Sequence, residues 1–202
     1  QITSGEGGMV ACTNKADYLL LKTLRAHGWD RDIQKEKVNK KFNFVNSGFN
    51  LRPLEISAAI GLNQFKRLSK MMSIRSYNRD KLIHYLKNSE KWDEQFNFFN
   101  HNKNLKPSWF GLPLMINKTK GFDKKKYLEF LNKKNIETRP IIGGNFINQK
   151  SVMAHNLKFK KMDLINSQKI ENDGFFIGLP NELINKNTLE KLVNYLLCID
   201  RF

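Results

Sequence analysis

Cysteine is scarce in this chain: Cys12 and Cys198 are the only two in 202 residues, and they stand near opposite ends. They match no metal or redox spacing, which excludes a disulfide framework and a thiolate zinc site and leaves two reduced structural thiols. His27, His84, His101 and His155 are too widely scattered to suggest ligation by spacing, and no clustered Asp or Glu set replaces them, so no metal is expected. No apolar run reaches the length of a membrane helix, and no signal-peptide pattern opens the chain. We therefore expect a cytoplasmic protein with no membrane partner. There is no Walker-type phosphate loop, no Ser-His-Asp arrangement and no dinucleotide fingerprint; Gly5-Glu6-Gly7-Gly8 has the wrong glycine spacing for the last and reads as a tight turn.

What is present in excess is positive charge, +16 from 35 Lys and Arg against 19 Asp and Glu. A balance of that size raises nucleic acid as a partner, and a basic nucleic-acid-binding module is one alternative. The lysines are spread along the chain, however, at 35–41, 66–70, 118–126 and 158–161, within a background rich in Asn and Ile. Lys far exceeds Arg, whereas base and phosphate recognition favours the planar fork of Arg. We expect no nucleic-acid partner. With 40% hydrophobic residues and abundant Phe, the chain has material for a real core and is not disordered over most of its length.

Residues 2–13 read as a β-hairpin turning at Gly5 to Gly8, and two strands without companions do not stand alone in water. Asn14 caps a helix with Asp17 at its third position, carrying Tyr18, Leu19, Leu21 and Leu24, and Gly28 stops it. Residues 30–50 read as an extended loop anchored by Phe42, Phe44, Val45 and Phe49. Pro53 opens a second helix whose apolar positions, Leu54, Ala58, Gly61, Leu62, Phe65, Leu68 and Met72, recur at helical spacing. A separate helix follows over 76–87 with Leu82, Ile83 and Leu86 inward. Beyond a polar connection come a strand at 108–116, a helix at 123–134 burying Tyr127, Phe130 and Leu131, a strand at 136–141, a turn at Gly143-Gly144-Asn145, and a strand at 175–179. A last helix is capped by Asn187 with Glu190. From about residue 107 this order describes a small α/β sandwich.

Several of these segments together resemble one family. Thr3-Ser4-Gly5-Glu6-Gly7-Gly8 is similar to the T-x-G-E-G-G stretch of the DegT-type sugar aminotransferases. Leu24-Arg25-Ala26-His27-Gly28-Trp29 resembles their R-x-H-G segment. Gly48-Phe49-Asn50-Leu51-Arg52-Pro53, continued by Ala58-Ala59-Ile60-Gly61-Leu62 and Gln64, resembles their G-Y-N-x-R block, with Phe49 for the usual Tyr and Phe65 for the usual Leu. Ser108-Trp109-Phe110-Gly111, Thr138-Arg139-Pro140, Gly144-Asn145 with Gln149, and Phe176-Ile177-Gly178 are similar to the sugar 3-dehydratase branch, whose best-known member acts on GDP-4-keto-6-deoxymannose.

The resemblance implies an α/β protein, the C-terminal part of a fold type I PLP-dependent transferase of the aspartate aminotransferase kind. Residues 1–52 would be the tail of the large domain, 53–106 connecting helices, and 107–202 a small C-terminal α/β domain. It implies pyridoxal 5'-phosphate or pyridoxamine 5'-phosphate as cofactor, and a nucleotide-linked 4-keto-6-deoxy sugar and glutamate as substrates. It also implies a homodimer with shared active sites. Asn50 would reach the cofactor phosphate, an amide donor without charge cost, or else cap the helix after it. Arg52 would grip a carboxylate or phosphate, or else stand at the surface. His27 would contact sugar or cofactor, or else serve the helix end. Trp109, Arg139 and Asn145 would contact substrate at strand ends and turns.

The decisive residue in this family falls just before Gln1, so no catalytic residue is assigned. A histidine there implies removal of the sugar 3-hydroxyl, with glutamate restoring the amine form of the cofactor; a lysine implies amino transfer to the keto sugar. The dehydratase is the expected outcome and the aminotransferase the alternative. These 202 residues on their own are expected to be inactive.

Overall fold

The computed structural model describes residues 2–31, 33, 42–102, 104–117, 122–155, 158 and 160–202. They fall into two compact units, residues 2–68 and residues 69–202.

In the N-terminal unit, helix α1 (Lys15–Leu24) begins as its sequence dictates: the Asn14 side chain accepts from the Asp17 N–H at 2.8 Å. The hairpin expected over 2–13 is not formed. No strand pairing joins these residues, and Met9 and Val10 are exposed. Two short strands need a third or a packed face to persist, and the described residues offer neither. Of the loop expected over 30–50, positions 32 and 34–41 lie outside the described residues. Its aromatic anchors are not buried: Phe42, Phe44, Val45 and Phe49 are all exposed, and the segment is held by backbone pairing instead.

Helix α2 runs unbroken over Glu55–Lys87. The expected break before residue 76 does not occur, because no Gly or Pro interrupts the chain between Gly61 and Lys87. Pro53 is not its first residue; the helix opens two positions later, with the Ala58 N–H bonded to the Leu54 carbonyl. In its early turns Leu54, Ile56, Leu62 and Phe65 are exposed. In its later turns Met71, Arg75, Asn78, Leu82 and Leu86 are buried at steps of three and four residues, one stripe of a 3.6-residue helix.

The C-terminal unit is built on an antiparallel sheet ordered β1-β2-β4-β3: β1 (Phe96–Phe98), β2 (Gly111–Ile116), β3 (Thr138–Arg139) and β4 (Gly174–Gly178). Leu114 faces Phe175 and Leu112 faces Ile177 across the β2–β4 pair, so one face of the sheet is continuously apolar. Helix α3 (Lys124–Lys133) and helix α6 (Lys186–Leu196) add Tyr127, Leu131, Leu189, Val193 and Leu196 to the same core, and α2 adds Leu82 and Leu86. Each of these fully buried side chains stabilises the fold by about 1.5–3 kcal/mol.

Helix α3 is the one expected over 123–134, with Asp123 standing outside it as its N-cap and its end at Asn135, whose φ of 61° lets the Ile136 N–H return to the Leu131 carbonyl. Helix α6 is capped by Asn185, not by Asn187. The Asn185 side chain accepts from the Thr188 N–H at 2.8 Å, and Glu190 pairs with Lys186 instead. Between β3 and β4 lie the short helix α4 (Lys150–Met153) and helix α5 (Ile165–Asp173).

Candidate functional site

The N-terminal unit laces two of the motif segments together. At the end of α1 the chain reverses through consecutive left-handed residues, His27 at φ 62° and Gly28 at φ 81°, and the Gly28 N–H closes on the Thr23 carbonyl at 2.8 Å. The returning strand then pairs antiparallel: Phe49 N–H to Leu24 O (2.6 Å), His27 N–H to Phe49 O (2.9 Å) and Leu51 N–H to Arg25 O (2.9 Å). Two glycines make this approach possible. A Cβ on Gly48 would lie 2.2 Å from the Gly28 nitrogen, and one on Gly28 would collide with the Asn46 carbonyl.

Three of the expected site residues meet here. Asn50 is paired with Ala26, so its backbone is fixed while its side chain is exposed and makes no hydrogen bond among the described residues. His27 is exposed on the facing turn. The Arg52 guanidinium stands 5.8 Å from the ring of Trp29, which stacks on Phe42 at 5.3 Å and has Arg31 at 5.2 Å. Beneath them Asp30 is buried and accepts from the Asn43 amide. The cationic pair Arg31 and Arg52 around Trp29 is a feature the spacing of charges did not announce.

The other three expected residues belong to the C-terminal unit, and it does not gather them into one cluster. Trp109 is sandwiched: the Arg79 guanidinium lies 4.2 Å from its ring and the His101 ring meets it edge-on at 5.8 Å. Arg79 is itself buried, donating to the Phe99 carbonyl and the Asp80 carboxylate. Arg139 lies on the edge strand, exposed, with Nε and Nη2 both donating to Glu137 Oε1 at 2.8 and 2.7 Å. Asn145 is buried; its N–H donates to Glu171 Oε2 at 2.8 Å and its amide to Gln168 Oε1 at 3.1 Å.

The same Glu171 accepts from the Asn148 amide, so one carboxylate organises the whole turn. Lys124 donates to the Glu171 and Gly174 carbonyls, finishing helix α5 with a cation. Its burial lowers its pKa, against the opposing pull of Asp173 and Glu171. Arg79 and Glu171 carry no pattern in the sequence, since the Trp109 ring beside Arg79 and the Asn145 and Asn148 groups on Glu171 are brought near only by tertiary structure.

Among the described residues, no helix is long and apolar enough to cross a membrane. The chain is 32% identical to a GDP-4-keto-6-deoxy-D-mannose 3-dehydratase of Escherichia coli over 88% of its own length and 47% of that protein's. A solved E. coli GDP-4-keto-6-deoxy-D-mannose-3-dehydratase with bound hydrated PLP superposes with a TM-score of 0.72 at 29% identity, covering 89% of this chain and 47% of that one. A mutant GDP-4-keto-6-deoxymannose-3-dehydratase with bound GDP-perosamine matches with a TM-score of 0.69 at 29% identity, over 90% and 47%. The chain thus spans about half the length of the relatives it matches. Residues 1–196 match the model of the DegT/DnrJ/EryC1/StrS aminotransferase family, and the chain belongs to that family.

Proposed function

We propose that the gene product carrying this chain is a pyridoxal-phosphate-dependent nucleotide-sugar 3-dehydratase of deoxysugar biosynthesis, with residues 107–202 as its small domain. The observation that carries this reading is the lacing of His27, Asn50 and Arg52 into one exposed, donor-rich edge by backbone hydrogen bonds. The similarity to 3-dehydratases over nearly the whole chain supports it.

The donor set fits a phosphorylated cofactor. Asn50 offers an amide with no intramolecular bond among the described residues, on a backbone that cannot drift. Arg52 adds a guanidinium. Pyridoxal phosphate, when bound, supplies the electron sink. Asn50 would hold the phosphate through its amide, Arg52 would balance its charge, and His27 would orient the sugar or move a proton at an imidazole nitrogen. Trp109 offers the substrate an apolar face stiffened by Arg79. Arg139 supplies a guanidinium whose plane is set by Glu137. Asn145 shapes the turn that follows. The exposed apolar side chains of the N-terminal unit, among them Phe49, Leu54, Leu62 and Phe65, support a homodimer with shared sites.

The test supplies the gene product with pyridoxamine phosphate, glutamate and GDP-4-keto-6-deoxymannose. Mass spectrometry then reads the sugar. A sugar lacking its 3-oxygen, with 2-oxoglutarate formed, supports the dehydratase. A 4-amino sugar retaining that oxygen replaces it with the aminotransferase. Neither product, together with steep salt-dependent retention on a polyanion, would point to a nucleic-acid-binding module.

A further inference from the structure

The turn between β3 and α4 is strained at a residue that no packing supports. The Gly144 N–H closes on the Ile141 carbonyl at 3.1 Å, which makes Ile142 and Gly143 the central pair. Ile142 holds φ at 46°. A turn whose first central residue is left-handed favours Gly, Asn or Asp there, whereas here the glycines follow at 143 and 144. A β-branched side chain at that φ is a steric outlier, and Ile142 is 87% exposed, so no burial of its own offsets the strain. Such strain persists only where neighbours over-determine it, and it collects at clamps and switches.

The neighbours that hold this turn come from α5. Glu171 Oε2 accepts from the Asn145 N–H and from the Asn148 side chain, both at 2.8 Å. Gln168 Oε1 accepts from the side chains of Asn145 and Asn148 at 3.1 and 3.2 Å. Gly144 lies so close that a Cβ on it would stand 3.0 Å from Glu171 Cγ. The carboxylate is carried on a fixed backbone, because Lys124 donates to the Glu171 and Gly174 carbonyls at 3.0 and 2.8 Å. Along this seam lies a cavity of about 590 Å³, walled by Asn145, Ile147 and Asn148 on the turn side and by Leu164, Gln168 and Asn172 on the other.

We propose that residues 141–149 are a latch: a closed state, sprung at Ile142 and fastened by Glu171 and Gln168, exchanges with an open state in which Ile142 relaxes and the cavity widens. On opening, the Asn145 N–H and the Asn148 amide leave the carboxylate together. Lys124 keeps the Glu171 backbone in place, so the turn moves and α5 stays. Because the turn carries Asn145, its state decides whether that side chain is fixed or released. Cofactor and turnover play no part in this motion, since every residue of the latch belongs to the C-terminal unit.

The experiment is residue-resolved hydrogen exchange on the 202-residue chain, following the Asn145 amide against the amides of β4, a strand paired on both sides. The Asn145 amide should be protected at least about tenfold less than those of β4, and urea below the unfolding transition should leave its exchange unchanged, as a local opening requires. Ile142→Gly relaxes the closed turn and should slow exchange at Asn145 about fivefold. Glu171→Gln keeps the side-chain length but loses the charged acceptor, and should speed it about tenfold. Both variants should keep the circular dichroism of the parent chain. An Asn145 amide that exchanges only with β4, with the same dependence on urea, would overturn the proposal. So would exchange in Ile142→Gly no slower than in the parent, or exchange in Glu171→Gln no faster.

Discussion

Asn78 accepts at Oδ1 from the N–H of Ile184, 3.2 Å away and more than a hundred residues later, while its Nδ2 donates to the carbonyls of Pro180 at 3.2 Å and Glu182 at 2.7 Å. One fully buried amide thereby fixes the loop between β4 and α6 to the long helix. Asn78→Ala leaves three backbone groups without their partner in a water-poor site, and we expect a loss of about 2–3 kcal/mol in urea unfolding. Asn78→Asp keeps the acceptor but turns a carboxylate toward two carbonyls, so it should be at least as damaging. A midpoint for Asn78→Asp equal to that of the wild type would show that the clamp is not what holds the loop.

The contact of Gly48 with Gly28 makes a second prediction. In Gly48→Ala the new methyl would meet the Gly28 nitrogen at 2.2 Å and the Leu24 carbonyl at 2.8 Å, both backbone atoms that cannot step aside. The pairing that presents Asn50 should open, with faster amide exchange at Phe49 and Leu51 and a cost of about 1–3 kcal/mol. Gly61→Ala is the control, because its methyl would meet only the Ser4 Cβ at 3.5 Å. Equal exchange rates in the two variants would remove the steric argument.

Local grammar was legible and long-range partnership was not. The Asn14 cap with Asp17 and the extent of α3 to within a residue at each end could be placed from sequence, because a helix end is satisfied within three or four residues. Asn185 and Asn187 both suit a cap, and the choice rests on where the chain leaves its extended conformation, which composition does not reveal. Strand β1 was missed inside an Asn-rich connection: three residues gain their identity only from pairing with Leu114, Met115 and Ile116. Helix α5 was missed because Ile165 and Ile170 give it too few apolar positions to show a period. The motif residues His27, Asn50 and Arg52 were proposed by resemblance, whereas the contacts of Arg79 with Trp109 and of Glu171 with Asn145 join residues far apart in the chain.

Asn50 and Asn145 should separate in mutagenesis although both are asparagines in family motifs. Asn145 is buried and bonded to Glu171 and Gln168, so Asn145→Ala should cost about 1–2 kcal/mol of stability. Glu171→Ala should cost more, since both Asn145 and Asn148 lose their acceptor. Asn50→Ala should change stability by less than about 0.5 kcal/mol, as expected of an exposed side chain. In the gene product it should weaken pyridoxal phosphate uptake, followed by absorbance, about tenfold, the worth of one hydrogen bond to a charged group. A cofactor affinity unmoved by Asn50→Ala would remove that residue from the site.

Tyr127 links α3 to α6 through a hydrogen bond from its hydroxyl to the Leu196 carbonyl at 2.8 Å. Burial raises its pKa far above the ordinary value of 10, and the thiolate charge of Cys198 adds to the shift. The sign follows. Above pH 10 the unfolded chain releases the phenolic proton while the folded chain keeps it, so the unfolded state binds fewer protons and stability falls as pH rises. Below pH 10 the contribution is complete and flat. Tyr127→Phe removes the hydrogen bond without removing the ring, so it should cost about 0.5–1.5 kcal/mol at neutral pH. The same variant should be less sensitive than the wild type to alkali between pH 10 and pH 11, as read from urea midpoints across that range. Parallel pH profiles for the two proteins would mean that the phenol ionises in the folded state as readily as in water, and that the α3–α6 contact is open to solvent.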